Sequence, residues 1–258
     1  MYHINDIYLD ICKRILDAPE VNGTRELNNY MFTLNDINNN IITLTEKKLS
    51  KEYLIAEMLW YFNGRKDVEF IGNFASLWKR ITDDGINSNS AYGHIIFEKF
   101  GFNQLEKIIE LLRIDPNSRR AVININIPNK KVIETKDEPC TIALQFYIRD
   151  EKVHCTGIMR SNDVWFGLPY DIVFFTTLQK IVADRLNLKY GTYTHFATSL
   201  HMYQRNRDSI SNIIYHPDVS EFTLDIDKLL ENKEKLIKIV NKENILKICE
   251  EMEILKWE

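Results

Sequence analysis

Glycine and proline are scarce in this chain, nine and six of 258 residues, and neither gathers into a linker. One large domain over residues 1–258 is therefore the expectation, with chain enough for one substantial core. Cysteine is scarcer still: Cys12, Cys140, Cys155 and Cys249 show no paired metal spacing and do not suggest a disulfide framework at this length. That usage fits a reducing, cytoplasmic compartment, and no metal site is expected. No apolar run is long enough to cross a bilayer, and Met1-Tyr2-His3-Ile4-Asn5-Asp6 lacks the basic and apolar parts of a secretion signal. An excess of cations is missing too. A net charge of −4 and a pI near 5.9 provide no basic stripe to displace counterions, so DNA or another nucleic-acid polymer is not the expected partner. A local basic pocket stays open, and no internal repeat is visible.

What is present reads as alternating helical and extended periodicity. Ile4, Ile7, Tyr8, Ile11 and Ile15 predict a helix over 4–17, ending before Pro19. Tyr30, Phe32 and Leu34, then Ile42 and Leu44, predict two strands joined by a turn at Asn38-Asn39-Asn40. Ser50 can cap a helix over 51–63 that Gly64 stops. On it Leu54, Glu57, Met58 and Tyr61 share a face, which places a carboxylate among apolar side chains. A buried Glu needs a partner or a function, and desolvation would raise its pKa toward neutrality. Further helices are predicted over 67–80 and 103–113, and strands over 121–127, 141–148, 152–159 and 192–199. An apolar helix should run from Asp171 to about Leu186. From about residue 218, Leu and Ile at helical spacing among Asp, Glu and Lys predict a helical tail.

The densest polar stretch is Arg160-Ser161-Asn162-Asp163-Val164-Trp165-Phe166-Gly167-Leu168-Pro169-Tyr170-Asp171. It places a guanidinium, a hydroxyl, an amide and a carboxylate ahead of a turn, with a second carboxylate opening the helix beyond. On residue types alone this is either a ligand-binding loop or a loop followed by an Asp cap. Upstream stand Pro139-Cys140 and Gln145-Phe146-Tyr147, and downstream His201-x-Tyr203. In that order these motifs resemble thymidylate synthase and its relatives. The resemblance extends to Asp115-Pro116-Asn117-Ser118-Arg119-Arg120, to Ala56-Glu57-Met58-Leu59-Trp60-Tyr61-Phe62-Asn63-Gly64 and to Tyr92-Gly93, covering about residues 24 to 206.

The resemblance implies an α+β fold, a mixed sheet covered by helices, with the sheet packing at a homodimer interface. It implies Cys140 as the thiolate that adds to C6 of a pyrimidine, 5,10-methylenetetrahydrofolate as one-carbon donor, and Glu57, Asp171, Tyr92 and Ser161 as catalytic companions. Arg160, with Arg119 and Arg120 reaching across the dimer, would hold the nucleotide phosphate; Arg25 is either a fourth phosphate ligand or an ordinary solvated cation. His201 and Tyr203 would bind the sugar 3′-hydroxyl and Gln145 would line the substrate site. Trp78, Asp163 and Gly167 would meet the folate.

Three departures stand out. Thymidylate synthases carry Asn where this chain has Asp171, and Asp there marks phage deoxycytidylate hydroxymethylases. Those enzymes also resemble this chain in Met159-Arg160-Ser161-Asn162-Asp163-Val164 and Ile86-Asn87-Ser88-Asn89. Thr141 replaces the family's His after the cysteine, and the tail from about 218 replaces a short apolar terminus. An amide reads uracil's donor and acceptor edge, whereas a protonated carboxyl reads cytosine's. Hydroxymethylation of (d)CMP is thus the expected activity. The alternatives are reductive methylation of dUMP or dCMP, and a family member that binds nucleotide or RNA without catalysis.

Overall fold

The computed structural model describes residues 3–129, 131–220 and 222–257. The chain divides into two compact units, one of Met1–Leu49, Leu105–Asn124 and Cys140–Ser220, the other of Ser50–Gln104, Ile125–Pro139 and Glu221–Glu258.

In the first unit a mixed sheet is covered by helices. Its strands are β1 (Glu20–Val21), β2 (Thr24–Leu34), β3 (Val122–Asn124), β4 (Thr141–Arg149), β5 (Lys152–Met159), β6 (Asn162–Asp163) and β7 (Lys189–Tyr203). They lie in the order β1-β2-β7-β5-β4-β3, with β6 beside β7. Neighbours run antiparallel except that β5 and β6 are both parallel to β7. A parallel pair needs a crossover, and the helix Leu168–Leu186 supplies it. That helix begins at Leu168 rather than Asp171, because Pro169 lies in the first turn, where a missing N–H costs nothing. Ile172, Val173, Phe174, Phe175, Leu178 and Val182 are buried, and the helix packs on β5 and β7. Asn187, in the left-handed region at φ 55°, ends it. The helix Ile4–Asp17 packs on β2.

Several expectations change in this unit. Ile42 and Leu44 form no second strand. Asp36 turns the chain by accepting from Asn38 N and Asn39 Nδ2, and Leu44 makes only an isolated bridge to Val219. Their alternating burial records loop side chains tucked into the core, while β2 takes β7 as its partner. The strand predicted over 121–127 shrinks to β3, which ends opposite Ala143, where the register of β4 slips between Thr141 and Ala143. The strand predicted over 192–199 grows to Lys189–Tyr203, held by β2 on one side and β5 and β6 on the other.

The second unit is organised around the helix Lys51–Phe62. Ser50 Oγ accepts from Tyr53 N at 3.2 Å to cap it, and Gly64 follows its end at φ +64°. Every residue from Leu54 to Phe62 is buried, so the helix is enclosed rather than one-sided. The single helix predicted over 67–80 is two, Val68–Ile71 and Leu77–Ile81. Gly72 and Asn73, weak helix formers, fall at the break. The helix Tyr92–Phe97 comes so near Lys51–Phe62 that a Cβ on Gly93 would fall 1.9 Å from the Tyr61 carbonyl oxygen. Asp137 holds the preceding loop by accepting from Ser88 Oγ, Asn89 N and Ser90 Oγ. The tail is helical as expected, Ile226–Glu231, Lys233–Ile239 and Ile245–Glu251, but strands β8 (Phe222–Leu224) and β9 (Leu255–Trp257) pair antiparallel around it. Lys51 Nζ stands 4.6 Å from the Phe222 ring centre and 4.8 Å from that of Trp257, joining this pair to the central helix. Among the described residues no helix is long and apolar enough to cross a membrane.

Candidate active site

In the first unit four consecutive residues hold most of the site residues that the sequence singles out there. Arg160 follows β5 and Cys140 precedes β4. Because β4 and β5 pair, Arg160 N donates to the Cys140 carbonyl at 2.9 Å, and the Arg160 Nη2 lies 3.7 Å from Cys140 Sγ. A guanidinium at a thiol favours the thiolate. Cys140 is half-buried, while Cys12, Cys155 and Cys249 are buried. Burial pushes Cys12 up to about 12, Cys249 up to about 11 and Cys155 further, holding all three as inert thiols. Thr141 turns its hydroxyl to Met159 Sδ at 3.1 Å, inside the core.

Ser161 Oγ stands 3.4 Å from His201 Nδ1. Asn162 Nδ2 donates to Asp171 Oδ2 at 2.7 Å. Asp163 Oδ1 accepts from the backbone N–H groups of Trp165 and Phe166 at 2.7 and 3.2 Å, closing the turn. Burial raises the Asp163 carboxyl, against the pull of those N–H groups and of His201 and Arg205. Asp171, in the first turn of the crossover helix, is pushed up to about 7 by burial, against the Asn162 hydrogen bond. Gly167 has an ordinary φ of −90°, but a Cβ there would fall 3.0 Å from Asn162 Nδ2 and 3.3 Å from Asp171 Oδ2. Its side-chain vacancy makes room for that pair.

His201 and Tyr203 end β7 with ring centres 5.5 Å apart, edge to face, and so face the same way as the alternation of a strand requires. Arg205 lies 4.3 Å from the Tyr203 ring centre and 5.8 Å from that of Phe166. Arg25 sits on β2 opposite Met202, between the rungs of Tyr203 and His201; its Nη1 donates to the Ala18 carbonyl and its buried Nε has no partner. Arg119 and Arg120 are exposed just before β3. Gln145 donates to the Arg119 carbonyl at 3.0 Å, so it braces that turn.

In the second unit, Trp78 Nε1 donates to Tyr53 Oη at 2.9 Å and Tyr53 Oη donates to Glu57 Oε1 at 2.6 Å. Glu57 is 8% exposed. Tyr92 stacks on Tyr61 with ring centres 5.4 Å apart, an arrangement the missing side chain of Gly93 permits.

Of the residues in this account that the sequence did not single out, three differ in how visible they were. Tyr53 had a signal, standing one turn before Glu57. Asn162 lay inside the polar stretch, but its reach to Asp171 depends on the turn between them. Lys47 had none: only 3% exposed, it sits 4.4 Å over the Trp165 ring, and burial pulls its ammonium down to about 8 against the opposing charge of Asp163.

The thymidylate synthase family pattern matches residues 6–251, past both ends of the motif-bearing region and into the tail. The thymidylate synthase of Mycoplasma pneumoniae is 25% identical, over 79% of this chain and 83% of its own. The structure of thermostable thymidylate synthase A from Bacillus subtilis superposes with a TM-score of 0.70 at 21% identity, covering 88% of this chain and 90% of that one. With the mixed sheet, its helical cover and this match over nearly the whole length, the chain belongs to the thymidylate synthase family, enzymes of folate-dependent one-carbon transfer to a pyrimidine.

Proposed function

We propose that the protein hydroxymethylates a cytidine monophosphate at C5. The observation that carries this reading is Asp171, a carboxyl pushed up to about 7 where thymidylate synthases have an amide. In its neutral form it donates to N3 of cytosine and accepts from the 4-amino group; uracil, with a donor at N3 and an acceptor at O4, leaves both ends mismatched. An unpaired buried polar group costs about 1–3 kcal/mol, enough for a strong preference.

Cys140 Sγ adds to C6, which makes C5 nucleophilic toward the one-carbon unit that 5,10-methylenetetrahydrofolate supplies. Glu57 accepts the proton leaving C5, with Tyr53 fixing one carboxyl oxygen. Tyr92 and Ser161 complete the proton and water positions. Loss of the C5 proton would break the bond from the one-carbon unit to the folate nitrogen, releasing tetrahydrofolate; water would then add to the exocyclic methylene and the C6–S bond would break. Arg160, Arg25 and the exposed Arg119 and Arg120 hold the phosphate, the last two from the partner of a homodimer. His201 and Tyr203 take the sugar hydroxyl, with Gln145 holding the Arg119 turn. Asp163, Trp78 and the Gly167 turn face the folate. For that ligand the donor set fits: a half-buried carboxyl suits the hydrogen-bonding edge of a pterin and an indole suits its flat ring.

Reductive methylation is the second reading, favoured by the names of the relatives. Tritium release from C5 of dCMP and of dUMP, with dihydrofolate absorbance followed together, separates the two. Hydroxymethylation gives release from dCMP and no dihydrofolate; release from dUMP with dihydrofolate in step overturns the proposal.

A further inference from the structure

The pair formed by Asn162 and Asp171 is asymmetric. Asn162 is 3% exposed, its Nδ2 donates to Asp171 Oδ2, and its own Oδ1 is buried without a hydrogen-bond partner. A buried carbonyl left unpaired is unfavourable, and a residue kept only for the fold would not be expected to carry one. Gly167 lies against both members, and any side chain there would press on the amide nitrogen and on the accepting oxygen. Two features, a vacant Cβ position and an unpartnered carbonyl, are thus associated with one hydrogen bond.

We propose that Asn162 is a positioning residue that selects which oxygen of Asp171 carries the proton, and thereby which pyrimidine edge the carboxyl reads. The proposal rests on the reading of Asp171 as the group that meets the base. An N–H aimed at Oδ2 makes that oxygen an acceptor, so the proton of the neutral acid sits on Oδ1. The carboxyl then presents one donor and one acceptor in fixed order, the order cytosine requires. Without Asn162 the proton exchanges between the oxygens, the carboxyl turns more freely, and both bases find a tolerable match.

Other titratable groups around the helix of Asp171 do not compete for this role. Tyr193 on β7 and Cys155 on β5 are pushed up by burial and His195 on β7 is pushed down to about 3, so all three stay neutral near pH 7. Arg160 is committed elsewhere, its Nη2 lying 3.7 Å from Cys140 Sγ. Asp163 is a second carboxyl raised by burial on the same segment as Asn162, and an Asp171 variant distinguishes the two.

The test is calorimetric binding of dCMP and dUMP across pH about 5 to 9, with melting temperatures, for the native protein, Asn162→Val, Asn162→Ser, Gly167→Ala and Asp171→Asn. In the native protein dCMP affinity should fall as pH rises through the Asp171 titration, and Asp171→Asn should abolish that limb. Removing the Asn162 bond, which favours the ionised form, should move the limb up by about one pH unit and lower the dCMP to dUMP affinity ratio about tenfold. Gly167→Ala should move it the same way with Asn162 still in place. The melting temperature of Asn162→Val should hold, since its unpaired carbonyl is gone. A limb that stays put in both Asn162 variants, or a ratio that falls only in step with melting temperature, overturns the proposal while leaving the reading of Asp171 standing. A limb that persists in Asp171→Asn overturns that reading and the proposal with it.

Discussion

The two clusters of candidate residues are built in opposite ways. Around Arg160–Asp163 three of the four residues meet a partner on another element, Cys140 before β4, His201 on β7 and Asp171 in the crossover helix, while Asp163 closes its own turn. Around Glu57 the pair Tyr53–Glu57 lies one turn apart on a single helix, and Trp78 joins it from outside that helix. The first arrangement depends on the sheet's topology, the second on helical periodicity. Damage to a strand partner should therefore scatter the cysteine cluster, whereas the glutamate cluster should fail mainly by loss of its own atoms.

The sharpest break is Cys140→Ser, which should lower tritium release from dCMP by about 10⁴-fold or more while nucleotide binding persists; retained turnover would remove Cys140 from the chemistry. Glu57→Gln should cost about 10² to 10⁴-fold in the same assay. Tyr53→Phe should cost only about tenfold, because one hydrogen bond to the carboxylate is lost and the carboxylate stays. If the two substitutions are equally damaging, the tyrosine does more than orient.

Stability probes compare the clusters without substrate. Gly93→Ala sets a methyl against the Tyr61 carbonyl and should destabilise by about 2–4 kcal/mol in urea unfolding. Asp171→Asn should act the other way. The folded carboxyl keeps its proton to about pH 7, whereas an unfolded Asp releases it near pH 4, so its contribution to stability is lost as pH rises between these values. The amide should thus stabilise the protein by about 1–2 kcal/mol above pH 7, allowing for partial exposure, and by little below pH 4. A constant difference across that range would contradict the burial of the carboxyl.

What the sequence made legible follows the same division. The helix over 4–17, the capped helix after Ser50 and strands β4 and β5 rest on local periodicity and turn residues, and each was readable within a residue or two of its observed ends. Ile42 and Leu44 were not, because alternating burial in a loop resembles a strand until the partner is known. The break at Gly72 and Asn73 was hidden by the apolar spacing that continues through Phe74, Leu77 and Trp78. The positions of Cys140 and Arg160 at paired strand ends could be read from the hairpin alone. Asn162 and Lys47 could not: one is defined by a turn that returns Asp171 to it, the other by burial beneath Trp165, and neither has a signature in spacing.

The parallel pairing of β5 with β7 has a consequence for assembly. Adjacent antiparallel strands can zip from a tight hairpin, but β7 reaches β5 only after the whole crossover has folded, and it must also meet β2 from near the start of the chain. We expect the β4–β5 hairpin, with sulfur and guanidinium already side by side, to acquire protection from hydrogen exchange early in refolding. The carboxyl proposed to read the base, carried by the crossover helix, should arrive after the hairpin, so a partly folded chain would carry a reactive thiol before it has that means of choosing a base.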